Sequence, residues 1–187
     1  MIALEGDFGK VYMSRDSFAD RRAKGHWGEY SHDVFVGMFN TRQYVSKFEE
    51  FTIGKSPKIS VLDAHGNTSR DEWFYFDGDE AHLVQDWIDE HDGEADALVL
   101  FPCNPRILPI ESTKSLVLHQ RGTGAIESYR KRLAVARMYV PGEGYIDPDP
   151  TKLEIRRSLL YTEFSLQLMN LIKNYRKARS FAQNVVL

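Results

Sequence analysis

Two short apolar runs limit what this chain can fold into. Ile59-Ser60-Val61-Leu62 and Ala97-Leu98-Val99-Leu100-Phe101 are continuous and aliphatic. Runs of that length and composition suit strands buried on both faces of a parallel sheet. The first runs on into Asp63-Ala64-His65-Gly66-Asn67, the second into Pro102-Cys103-Asn104-Pro105. In open α/β sheets ligands and chemistry gather outside the carboxyl ends of the strands. His65 and Cys103 are therefore the pair to weigh first. Ser115-Leu116-Val117-Leu118-His119 reads as a third buried strand, ending in Gln120-Arg121-Gly122.

Around these runs the chain alternates. Residues 10–14 read as a first short strand and residues 15–30 as a long polar loop. Ser31 or Asp33 is placed to cap a helix reaching about Phe51, with Val34, Phe35, Met38, Phe39, Tyr44, Val45 and Phe48 near helical spacing. Trp73-Phe74-Tyr75-Phe76 closed by Asp77-Gly78 is a hairpin signal. Asp79 and Glu80 then start a helix through Ile88, which Gly93 ends. Pro102, Pro105 and Pro109 impose an irregular loop over 102–114. A helix over 125–137, an edge strand at Met138-Tyr139-Val140 and an irregular linker over 141–150 follow. Residues 151–182 read as a long helix striped by Leu153, Leu160, Phe164, Leu168, Leu171, Ile172 and Tyr175. The expected architecture is a three-layer α/β/α sandwich with a mostly parallel sheet over residues 1–150. A C-terminal helix in 151–187 packs on it or serves assembly into a homo-oligomer.

Composition narrows the function classes. With 24 basic and 27 acidic residues the net charge is −3, so no global basic excess points to nucleic acid. Arg156, Arg157, Lys173, Arg176, Lys177 and Arg179 form the one local basic cluster, most simply a solvated helix face. One cysteine excludes an internal disulfide. No run approaches the ~20 apolar residues of a membrane-spanning helix, and the expected location is cytoplasmic.

The chemistry open to the pair is nucleophilic. A cysteine attacks as thiolate, and a neighbouring imidazole can take its proton and return one to the leaving amine. Two strand ends of one sheet can bring His65 and Cys103 together across one crossover. Gly66 leaves room for close approach to its backbone. The amide N–H groups of Gly66 and Cys103 could then form an oxyanion hole. Such a dyad calls for no cofactor, and its substrate would be a peptide or protein.

The order of parts resembles a known group. A buried strand ends in His-Gly, followed by a hairpin with Asp-Gly, a helix, and a second buried strand ending two residues before a Cys. This layout is similar to the caspase/legumain/gingipain-type cysteine peptidases. The separation here, 103 − 65 = 38 residues, compares with about 50 in caspases. The resemblance covers roughly residues 58–121. It implies His65 as general base and acid, Cys103 as nucleophile, and the site at the carboxyl edge of an unsplit sheet.

Other roles follow from position. Asp63 is placed to orient His65, to cap a backbone group or to touch substrate. His119 and Arg121, ending the third strand, could line the same edge, with Arg121 pairing an acidic substrate side chain. The rival to an enzyme is a catalytically inactive binding or scaffolding module. A metal-dependent hydrolase stands third. Asp63-Ala64-His65 has the Asp-x-His pattern that opens metallophosphatase sites, yet no Gly-Asn-His follows.

Overall fold

The buried runs become the centre of a sheet. The computed structural model of the chain describes residues 1–7, 9–24, 42–103, 110–120 and 136–146. Its strands are β1 (Ile2–Gly6), β2 (Gly9–Met13), β3 (Ile59–Asp63), β4 (His65–Ser69), β5 (Glu72–Asp77), β6 (Glu80–Leu83), β7 (Ala97–Leu100), β8 (Leu116–Gln120), β9 (Ala136–Val140) and β10 (Gly144–Ile146). Its helices are α1 (Arg15–Lys24), α2 (Arg42–Phe51) and α3 (Val84–His91).

Seven strands form one sheet in the order β1-β2-β3-β7-β8-β9-β10, and β4-β5-β6 form a second. Strands β2, β3, β7 and β8 run parallel. Strands β1, β9 and β10 are added antiparallel, and the small sheet is antiparallel throughout. The expected sandwich with a mostly parallel sheet is thereby corrected. The described chain is strand-rich, with a mixed seven-stranded sheet and a separate three-stranded one. The physical reason lies in the connections. Short turns joining β1 to β2, β9 to β10 and the small-sheet strands produce antiparallel hairpins, whereas only crossovers produce parallel pairs. The long C-terminal helix and the 151–187 unit lie outside the described residues, as does the helix expected over 125–137 up to residue 135, while Ala136 and Arg137, expected to close it, open β9 instead.

Every residue of β3 and β7 is buried. Val61 and Val99 join one apolar cluster with Phe18 of α1 and Tyr44 and Phe48 of α2. Leu62, Leu98 and Leu100 join another with Trp87 and Ile88 of α3 and Trp73 and Tyr75 of β5. Alternate residues thus serve opposite faces, which is why the runs carry no polar alternation.

Local readings shift in several places. Residues 15–24, expected as loop, form α1, whose start is capped by Ser14. The Ser14 hydroxyl accepts the Ser17 N–H at 3.1 Å, and the Ser14 carbonyl accepts from Phe18 at 2.9 Å. Glu80–Leu83, expected to open a helix, pairs with β5 instead, and the helix begins at Val84. The acidic start signal loses to the ladder that the β5 aromatics anchor. β9 is not an edge, because β10 pairs outside it. The β4–β5 hairpin turns through Arg70 and Asp71, both at positive φ, 51° and 63°. No helix among the described residues is long and apolar enough to cross a membrane.

Asp92, just past α3, fixes the approach to β8. Its carboxylate accepts from the Ser112 and Thr113 hydroxyls at 2.8 and 2.7 Å. It also accepts the backbone N–H groups of Thr113, Lys114 and Ser115 at 2.8, 3.1 and 2.9 Å. Burial opposes its charge, but these donors outweigh that and hold the carboxyl well below the usual range. A depressed folded value means the stabilisation is complete above about pH 4 and fades as pH falls through that lowered value. Asp92→Ala should therefore cost about 2–3 kcal/mol at pH 7. Urea unfolding of both chains should show that gap narrowing toward pH 2; a gap that ignores pH would contradict this role.

Candidate functional site

The carboxyl ends of the parallel strands lie side by side. Met13 pairs with Asp63, Leu62 with Leu100, and Leu100 with His119. Beyond the ladder, Ser14 N–H donates to the Asp63 carbonyl at 2.9 Å and Phe101 N–H to the Leu62 carbonyl at 3.0 Å. Past this line the chain from β3 turns into β4, and the chain from β7 runs into Pro102 and Cys103. Both sequence-predicted residues thus emerge at one edge.

The tightest contact at this edge is backbone against backbone. A Cβ placed on Gly66 would lie 2.5 Å from Pro102 Cβ, 2.8 Å from the Cys103 nitrogen and 2.9 Å from the Pro102 carbonyl carbon. No side chain fits there, so the glycine is dictated by the cysteine segment itself. The sequence suggests room for a substrate at Gly66; the structure fills that room with residues 102–103.

Pairing within the small sheet decides which way neighbouring side chains face. Gly66 pairs with Tyr75 and Thr68 with Trp73, whereas His65 pairs with Phe76. Tyr75 and Trp73 are buried against the large sheet. His65 is exposed at the first position of β4, and by strand alternation it belongs to the opposite face from Gly66. Cys103, the one cysteine of the sequence, is half-buried. The structure therefore joins residue 66 to residue 103 directly and sets the imidazole one residue from that contact.

Trp73 completes the site's support, and the sequence offers it only as hairpin packing. Its indole N–H donates to the Cys103 carbonyl at 3.1 Å. Its ring lies 5.3 Å from that of His119, tilted by 60°. His119 is 2% exposed, with Nε2 3.2 Å from the Tyr145 hydroxyl. It therefore lies beneath the edge and is not presented to solvent. Asp63 is likewise buried. Arg121 lies outside the described residues.

No three His, Cys, Asp or Glu side chains gather as a metal site among the described residues. His82 stacks on Tyr75 at 5.1 Å, while His91 stacks on Trp87 at 4.3 Å and places Nδ1 2.7 Å from the Trp87 carbonyl oxygen. The two histidines serve separate elements.

Comparison with known proteins finds no matching family model, no matching curated protein and no matching solved structure.

Because backbone cannot yield as a flexible side chain does, Gly66→Ala should cost roughly 1–3 kcal/mol. Ser69→Ala, at an exposed position of the same strand, should stay within about 0.5 kcal/mol. Denaturant midpoints of the two variants check this. Equal stabilities would mean that the close approach of residues 66 and 102–103 is absent.

Proposed function

We propose that this chain is a thiol-dependent amide hydrolase, a cysteine peptidase or a close chemical relative, with Cys103 as nucleophile and His65 as general base and acid. The observation that carries the reading is the contact of Gly66 with Pro102–Cys103. In this reading the two backbone segments that meet there offer their N–H groups to one substrate carbonyl. β4 is an edge strand of the small sheet, so alternate amides point off its ladder. The order of parts also agrees with what the resemblance to caspase/legumain/gingipain-type peptidases implies for the two residues.

In this reading His65 takes the Cys103 thiol proton. The sulfur attacks the substrate carbonyl carbon as the C=O electrons move onto oxygen. The Gly66 and Cys103 N–H groups receive that oxyanion. When the C–N bond breaks, the imidazolium passes its proton to the departing amine. Water, activated by His65, then hydrolyses the thioester and regenerates the thiol. The substrate would be a peptide or protein, no cofactor is required, and a reducing compartment such as the cytoplasm suits a working thiol.

The rival reading, a binding module on the same framework, draws on one observation: strand alternation turns His65 away from the face that Gly66 presents to the cysteine. Catalytic hydrogen bonds often tighten only when substrate arrives, so the two readings part on reactivity. Iodoacetamide alkylation of native protein against pH separates them. The hydrolase reading expects fast labelling of Cys103 at or below about pH 7, lost or shifted upward in His65→Ala, and cleavage of members of a peptide library. Slow labelling with an ordinary thiol profile, unchanged by the mutation, would leave the binding module.

A further inference from the structure

Pro102 supplies no N–H, and the sequence continues Asn104-Pro105. The small sheet supplies one support of the cysteine segment. Trp73, buried at the middle strand of that sheet, donates its indole N–H to the Cys103 carbonyl at 3.1 Å. A buried indole N–H needs an acceptor somewhere, but here the acceptor is the carbonyl of the nucleophile's own residue. Holding that carbonyl restrains rotation about the Cys103 Cα–C bond, and with it how the residue's N–H and thiol sit relative to the small sheet.

Trp73 is itself set from several directions. Its ring packs on His119. His119 meets the Tyr145 hydroxyl and ring, and the Arg137 guanidinium lies 4.1 Å over the Tyr145 ring. His119 and Arg137 are both buried. Strands β8, β9 and β10 thus back the indole, and the indole backs the cysteine.

Resting on the thiol-hydrolase reading, we infer that Trp73 is a positioning residue, whose indole N–H holds the Cys103 peptide in the geometry that His65 and the two amides require. Trp73→Phe keeps most of the ring packed on His119 and removes only the donor. At about pH 7 its Cys103 alkylation should fall roughly three- to tenfold, toward the His65→Ala rate. At about pH 9.5, where a thiol ionises without assistance, it should remain within about twofold of the parent chain. Loss of packing alone would not move a pH profile in this way.

A Trp73→Phe profile that overlays the parent's, while His65→Ala differs from it, overturns the positioning role and leaves the hydrolase reading intact. A parent profile indifferent to His65→Ala overturns both. Should Trp73→Phe fail to fold, the unmutated chain answers by nuclear magnetic resonance. Carboxamidomethylation of Cys103 should shift the Trp73 indole N–H resonance, assigned by elimination with Trp27→Phe and Trp87→Phe. A resonance that stays still overturns the proposal.

Discussion

The site depends on one steric fact, the approach of Gly66 to the Pro102–Cys103 backbone at a distance no Cβ tolerates. Everything around it either makes that approach possible or uses it. The parallel register of β3 and β7 brings their ends to one line. Ala64 then turns the chain out of the large sheet into β4, and Pro102 leads the other chain across it. Had residue 66 any side chain, the two segments would part.

The small sheet holds this contact against the large one. On its inner face Trp73 and Tyr75 share a core with Leu62, Leu100 and Val117. At its far turn, the Asp77 carboxylate accepts the Arg15 N–H at 2.9 Å, at the start of α1. It is thus tied to the loop after β2 and, through the indole, to the cysteine segment. Asp92 does comparable service lower in the sheet, where it gathers the 112–115 segment that leads into β8. Local fixation at both ends of the α3–β8 region limits how far the edge can deform.

Much of this was legible in the residues, and the limits have physical causes. Strands β3, β7 and β8 announce themselves because two-sided burial writes an unbroken aliphatic run. β4 does not, since His-Gly-Asn-Thr-Ser has little intrinsic strand preference. Its conformation is imposed by pairing with the aromatic β5 and by a turn through Arg70 and Asp71, not the Asn-Gly or Asp-Gly that marks such hairpins. α1 was hidden because its polar surface lacks an apolar stripe, although the Ser14 cap was there to be read. The mixed character of the sheet escaped for a related reason. Composition registers burial, but strand direction depends on connection length and on outer strands such as β1 and β10. Position after a buried strand brought His65 and Cys103 to one edge, because the β3 and β7 ends lie side by side. Nothing in a lone Trp73 reveals that its N–H will reach a carbonyl 30 residues away.

The most direct test is a crystal structure of the chain with Cys103 captured as the hemithioacetal of an N-acetylated amino aldehyde, which mimics the tetrahedral intermediate. The account predicts the hemithioacetal oxygen within about 3 Å of the Gly66 and Cys103 amide nitrogens, with the His65 imidazole turned to the sulfur or the oxygen. An oxygen directed to solvent, with residue 66 displaced from residue 103 and the imidazole left on the outer face of β4, would contradict it.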